Sequence, residues 1–405
     1  RMFSVVLGTF SVLFTYFFVK KFFSSKLAVI TSSLFCFSTF HILYSQEGRM
    51  YSLLVFLAII SNYFFFLLIN KKKFNFRDKE FIGYLFFTLL LLYTHFYSGF
   101  LVFSQNLIFL IHIIKKKSEK MILINWIVGQ ILMSLCYIPA IIRLMHYRQI
   151  VENQPWRKSL PQLQYVFFKF AGAKNIVVLI FMLVVFFICF ILVNKSKLSK
   201  VKKNSIKLFY FLLLFIVPIF IPLIYSIFFE NIFMIRYVIF CLIPFYILVS
   251  YFINKLPKIF KYSTVLVIIL LSLNSYIALD KEINNGQWDK VSNFIQPYRD
   301  ESTAIILEPG YIMYPFLFYS KRECFSRQDI YNCNRENNIY PLWGEFKNEK
   351  KYVDNSKKVI YVRRKMLTAK KITDYLKFLN KNHETITKKF YKSNDEIQVY
   401  IFEKT

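Results

Sequence analysis

Glycine is scarce in this sequence, at 9 of 405 residues, and acidic side chains are outnumbered 23 to 53 by lysine and arginine. No Gly-rich turn is present where phosphates could approach a backbone, neither a P-loop nor a Rossmann pattern, so a nucleotide cofactor and soluble nucleotide-sugar chemistry are unsupported. HExxH, CxxC and GxSxG are missing too, which removes the zinc-protease, dithiol and serine-hydrolase readings. No repeat of twenty to fifty residues stands out. The first apolar run has neither a positively charged n-region nor a small-residue cleavage site, so it does not read as a signal peptide.

What the chain has in abundance is apolar surface. It is 56% hydrophobic and 20% aromatic, with a mean hydropathy of +0.42. Runs of about 18 apolar residues are long enough to cross the hydrocarbon layer of a bilayer. Ten such runs are read: 2–19, 27–44, 51–69, 82–94, 96–114, 121–142, 176–194, 207–229, 237–253 and 262–279. The run 82–94 is short for a span and reads equally as half of a broken helix.

The net charge of +30 does not point to nucleic acid, because the lysines occupy alternate connections. Lys20, Lys21 and Lys26 mark the first of these, Lys71 to Lys79 the next, then Lys115 to Lys120, Lys195 to Lys207, and Lys255 to Lys261. The intervening short connections carry only Arg49 and Arg236. Positive residues in short loops mark the cytoplasmic side, so these connections are expected inside, as a solvated anchoring face on membrane lipid. The stretch YSQEGRMYSL, Tyr44 to Leu53, then faces outward. The same count puts Arg1 outside, and at least one further span with an outer loop is expected upstream of it.

Two segments break the short-loop rule. Residues 143–175 read as a long outer connection holding Arg143, His146, Tyr147, Arg148, Glu152, Trp156, Arg157 and Lys158. From about Asp280 hydropathy falls, and strands are expected at 304–307, 359–362 and 397–402, with helical spacing at 288–298 and 368–379. The expected architecture is therefore an α-helical polytopic membrane bundle, 1–279, with a small C-terminal α/β domain, 280–405, outside the membrane. Cys36, Cys136, Cys189 and Cys241 fall in predicted spans as packing residues, whereas Cys324 and Cys333 lie in the outer tail, where a disulfide can persist but spacing does not establish one.

The polar residues that should not be at membrane depth gather at the outer rim. Gln46, Glu47 and Arg49 sit between two spans with Tyr44 and Tyr51 beside them; His95 lies in THFYSG; Glu230, Arg236 and Tyr237 lie between two later spans. Ionisable groups at that depth are functional-site hypotheses by default. Guanidinium forks bind phosphate oxygens, so the set suits a lipid-linked anion. The bland readings are interfacial tyrosines, a packing histidine, a structural Glu47–Arg49 bridge and a headgroup anchor at Arg236.

Four stretches also carry a family resemblance. LYSQEGRMYSLLVFLAIISNYFFF resembles the YSQEARMYSL segment of integral-membrane glycosyltransferases of the GT-C type, the protein mannosyltransferase and lipid A aminoarabinose transferase superfamily, glycosyltransferase family 39-like, with its RgtA/B/C/D-like bacterial relatives. RMFSVVLGTFSVLFTYFFVKKFF matches the early R-x-x-S-x-x-x-G span, YTHFYSGFLVFSQ the THY turn and IRYVIF the late RY motif. The resemblance covers nearly the whole chain and implies inverting transfer of a sugar from a polyprenyl-phosphate donor to a hydroxyl acceptor (glycan, lipid or protein) at the outer face of the cell membrane. By that resemblance Arg49 and Arg236 bind the donor phosphate, and Gln46, Tyr51, His95 and Tyr237 bind substrate. Glu47 positions the acceptor, orients Arg49 or helps hold a divalent cation; the principal base, an Asp of the first outer loop, is expected upstream of Arg1. Glu47 and His95 would offer a cation only two ligands, where hard cations usually take more oxygens. A transporter or flippase of lipid-linked sugars, and an O-antigen-type polymerase or ligase, are the competing readings.

Overall fold

The computed structural model describes residues 1–71, 73–116, 120–151, 166, 169–170, 199–284, 287–327, 329–342, 356–364, 379, 383–391 and 397–404. They fall into two compact units, Arg1–Tyr276 and Ile277–Thr405. The first is helical: α1 (Met2–Phe22), α2 (Ser25–Cys36), α3 (Thr39–Gln46), α4 (Tyr51–Asn70), α5 (Lys79–Thr94), α6 (Ser98–Lys116), α7 (Lys120–Val151), α8 (Ser199–Phe228), a 3-10 segment (Ile235–Cys241), α9 (Leu242–Ile253) and α10 (Lys258–Asn284). Seven helices among the described residues are long and apolar enough to cross a membrane. The protein is a multi-pass membrane protein.

Both the inside and the outside of this unit are apolar. Phe18, Phe22, Phe66 and Phe211 pack together in the core, with the Phe66 and Phe211 rings stacked at 4.7 Å. Phe3, Phe17, Ile82, Phe86, Ile131 and Leu135 face outward. A helix that is apolar all round belongs in lipid, where the solvent itself is hydrocarbon. Polar side chains inside then act as glue: Gln105, fully buried, donates to Ser61 Oγ (3.1 Å) and Asn62 Oδ1 (3.0 Å) and accepts from Tyr84 Oη (3.2 Å), tying α4, α5 and α6 together.

Three sequence expectations change here. The run 27–44 is not one straight helix: α2 and α3 meet at a bend of 58°. Ser38 sits at the break with its Oγ accepting from His41 N–H at 3.5 Å, and a new N-terminus so capped starts a helix in a new direction. Residues 143–151, expected in a loop, continue helix α7. The 82–94 run becomes α5, 16 residues long and below the length of a span. The run 176–194, most of 143–175, and 368–378 lie outside the described residues.

Gly8 shows why the early span carries a glycine. A Cβ there would lie 2.3 Å from Ser45 Oγ and 2.7 Å from Ser45 Cβ, because α1 and α3 approach at this point, and His41 Nε2 lies 3.2 Å from the Gly8 carbonyl oxygen. Overpacking a tight contact costs about 1–3 kcal/mol. Gly8→Ala is expected to lower the thermal midpoint of the detergent-solubilised protein by several degrees; an unchanged midpoint would show that α3 moves away without cost.

The second unit holds a five-stranded sheet in the order β2-β1-β3-β5-β4, with β1 (Thr303–Glu308), β2 (Ile339–Pro341), β3 (Lys358–Arg364), β4 (His383–Tyr391) and β5 (Ile397–Lys404). β1 is parallel to both β2 and β3, while β5 is antiparallel to β3 and β4. Ile305, Leu307, Ile360, Val362, Val399 and Ile401 form one buried face, packed with α11 (Trp288–Ile295) and α12 (Met313–Ser320). Ile306, Val359, Tyr361 and Phe402 form the other. Two short helices follow α12, α13 (Arg322–Ser326) and α14 (Ile330–Glu336), and the Cys324–Cys333 disulfide joins them.

Candidate active site

The rim residues converge at one end of the helical unit. α3 ends at Gln46, and Glu47 to Met50 turn the chain into α4 at Tyr51. Ser52 Oγ donates to the Tyr44 carbonyl at 3.1 Å, and the Tyr44 and Tyr51 rings meet edge to face at 4.9 Å, so the turn is braced from both sides. Glu47 and Arg49 approach to 3.8 Å, Oε2 to Nε. That contact is electrostatic rather than a hydrogen bond, and Glu47 Oε2 stays buried with no hydrogen-bond partner.

Arg236 arrives from the other half of the sequence. Before it, Ser226 Oγ accepts the N–H groups of Ile232 and Phe233, both at 3.0 Å, and Asn231 Oδ1 also accepts from Phe233 at 3.0 Å, which shapes the turn after α8. The 3-10 segment then presents Arg236 with its guanidinium 5.5 Å from the Tyr237 ring centre. Its charge is felt by Tyr51, Tyr237 and Tyr44, yet its Nε is buried without a hydrogen-bond partner. Two guanidinium groups and three tyrosines thus share one locality, with orphaned polar atoms on both Glu47 and Arg236.

His95 completes the cluster. It ends α5 in extended backbone and is 6% exposed, with its ring 4.6 Å from Tyr237 and 6.3 Å from Tyr51. The Tyr97 N–H donates to His95 Nδ1 at 3.1 Å, leaving Nε2 to carry the proton of the neutral ring. Burial, and secondarily the charge of Arg236, hold the imidazole down to about 4, against an ordinary value of 6.5. The native state thus favours neutral His95: the stabilisation is present above pH 6.5 and is lost as pH falls toward about 4. His95→Gln is expected to flatten the fall in thermal midpoint across that window. Equal slopes for variant and wild type would remove His95 as the cause.

Gln46 is placed differently from the rest: it is exposed, and its Nε2 donates to Tyr276 Oη at 3.0 Å, fastening the end of α3 to α10. Tyr97 was not singled out from the sequence although it lies in THFYSG. It is fully buried, its ring 5.3 Å from Tyr237. Tyr276 had no local signal at all, since only folding brings α10 beside α3. Among the described residues no group of three or more His, Cys, Asp or Glu could hold a metal ion. With Nδ1 taken by Tyr97, His95 would offer a cation only Nε2.

The opposite end of the same helices is basic. Lys207 Nζ, at the start of α8, donates to the Phe22 carbonyl at the end of α1 at 2.8 Å and lies 5.7 Å from the Phe23 ring centre. Lys115, at the end of α6, lies 5.8 Å from the Phe209 ring centre. The ends of α1 and α6 and the start of α8, each flanked by lysines, therefore meet at the end of the unit opposite the Arg49–Arg236 cluster.

The chain shares its fold with solved structures of ArnT. Among solved structures, the chain is similar to ArnT from Cupriavidus metallidurans in the apo state, with a TM-score of 0.57 at 9% identity, covering 99% of this chain and 83% of that one. It is also similar to the same enzyme bound to undecaprenyl phosphate, with a TM-score of 0.55 at 8% identity, covering 98% and 83%. No family model and no curated protein sequence matches the chain.

Proposed function

We propose that this protein transfers a sugar from a polyprenyl-phosphate donor to a hydroxyl acceptor at the outer face of the membrane. The observation that carries the reading is the convergence of Arg49 and Arg236, far apart in sequence, on Tyr51 at one end of the bundle, with Arg236 Nε buried and unpartnered. A dianionic or monoanionic lipid phosphate would give that guanidinium its missing acceptor. The likeness to ArnT, one of whose structures holds undecaprenyl phosphate, supports this choice of donor. The Cys324–Cys333 disulfide supports an oxidising compartment for the C-terminal unit.

In the reaction, an acceptor oxygen attacks the anomeric carbon as the bond from that carbon to the phosphate oxygen breaks, inverting the centre, and the acceptor proton passes to a general base. Negative charge develops on the departing lipid phosphate. Arg49 and Arg236 stabilise it where it appears, which is the kind of interaction that lowers a barrier rather than merely tightening binding. Glu47 orients Arg49 through charge. Tyr237 holds Arg236 against its ring, and neutral His95 offers its Nε2 proton to substrate oxygens without adding a charge.

The test is release of free polyprenyl phosphate from labelled polyprenyl-phosphate sugars by the full chain in vesicles supplied with envelope glycan. Release is expected from wild type and is expected to fall about 100-fold or more in Arg49→Ala at unchanged membrane expression. Label that crosses the bilayer unaltered, with no phosphate released, would make the protein a transporter instead.

A further inference from the structure

One row of side chains in the second unit sets an acid, a guanidinium and an amide beside one another at a sheet end. The register sets Glu308 opposite Arg363, Arg363 opposite Gln398, and Gln398 opposite Phe390. Residues opposite one another share a face of the sheet, so these four form a terminal row on the face that also carries Ile306, Val359, Tyr361 and Phe402. The row beneath supports it: Tyr361 Oη donates to Glu308 Oε2, and Tyr400 Oη donates to Gln398 Oε1 at 3.1 Å. Between the acid and the amide, Arg363 has a buried Nε with no hydrogen-bond partner. Glu308 is half-buried, and burial pushes its carboxyl up although Arg363 opposes the shift. Phe390 leaves 44% of its surface exposed at the end of the row.

The place in the fold matters as much as the residues. β1 connects to β2 on one side of it, and β3 then lies on the other side, so the carboxyl ends of β1 and β3 form a switch point in the strand order. Parallel α/β sheets bind ligands outside the carboxyl ends of their strands at such a point. Glu308 is the last residue of β1, and Arg363 is its partner on β3.

We propose that this row is a binding site for an acidic saccharide. Arg363 takes the carboxylate or phosphate of the sugar; Glu308 accepts from a ring hydroxyl, the Gln398 side-chain amide pairs with another, and Phe390 lies against the apolar face of the ring. A site for a bare anion would present donors only, whereas this one sets a carboxylate and an amide beside the guanidinium, which suits a ligand that donates as well as accepts. The proposal does not depend on the transfer reaction, since it concerns binding alone.

The experiment is saturation-transfer NMR on the full chain in detergent micelles with glucuronate, glucose 6-phosphate and glucose, and with inorganic phosphate as competitor. Glucuronate or glucose 6-phosphate is expected to bind, whichever does so identifying the acidic group, and glucose is expected to bind at least tenfold more weakly. Arg363→Gln should remove that preference, with its thermal midpoint showing that the unit remains folded. Should Arg363→Gln not fold, Phe390→Ala, at an exposed position, should weaken the acidic sugar at least threefold. Inorganic phosphate competing as well as glucose 6-phosphate would overturn the proposal in favour of a plain anion site. It would also be overturned by no sugar binding, or by binding that both variants leave unchanged.

Discussion

Arg236→Ala is expected to lower kcat for sugar transfer about 100-fold or more, with expression and membrane insertion retained. The size follows from position. Arg236 is half-buried, lies by the Tyr237 ring, and has a guanidinium nitrogen already removed from water that the protein itself does not satisfy. A partly desolvated guanidinium with an unsatisfied nitrogen interacts strongly with an anion that arrives there, and most strongly when that anion gains charge as a leaving group. Arg236→Lys restores a point charge without the planar fork, so about a tenth or less of the activity is expected to return. Single-turnover kinetics with labelled donor separate the two roles. If the effect falls wholly on donor KM, with kcat intact, Arg236 anchors the lipid headgroup and does not stabilise the transition state.

Loss of the Cys324–Cys333 disulfide is expected to destabilise the C-terminal unit by about 3 kcal/mol, because closing a loop of this size removes that much chain entropy from the unfolded state. The bridge closes a separation of 9 residues and clamps α13 to α14, where Cys324 and Cys333 are both buried against the helix side of the sheet. For a unit of this size the corresponding fall in thermal midpoint is about 10 °C. Cys324→Ser and reductant-treated wild type should show the same fall, read from the near-ultraviolet signal of the unit's aromatic residues. A fall in Cys324→Ser that exceeds the reduced wild type would assign the excess to lost packing instead.

Much of this architecture was legible from hydropathy alone. Long apolar runs such as 51–69 became α4 almost residue for residue, and the strands expected at 304–307, 359–362 and 397–402 became the core of the sheet. Those signals are strong because burial on both faces forces unbroken apolar character. β4 was missed for the opposite reason. HETITKKFY buries only its two ends, His383 and Tyr391, and borrows its order from pairing with β5, so its own composition carries little trace of a strand. The bend at Ser38 was also hidden, since a single serine within an apolar run is ordinarily tolerated in a helix and only the departure of α3 toward Gly8 and Ser272 makes it a cap.

By itself, the sequence determined the membrane character of the chain, the number and order of most apolar segments, the basic connections and the identity of the charged residues at their opposite ends. These follow from the cost of placing charge and unpaired backbone in hydrocarbon, which acts on each segment separately. The tertiary structure alone decided that the charge of Arg236 would reach Tyr51, that Tyr97 would set the proton of His95, and that Glu308, Arg363 and Gln398 would form one row. Each of these depends on which helix ends and strand neighbours meet, and that is settled by shape and packing summed over the whole unit, a quantity no local stretch of residues contains.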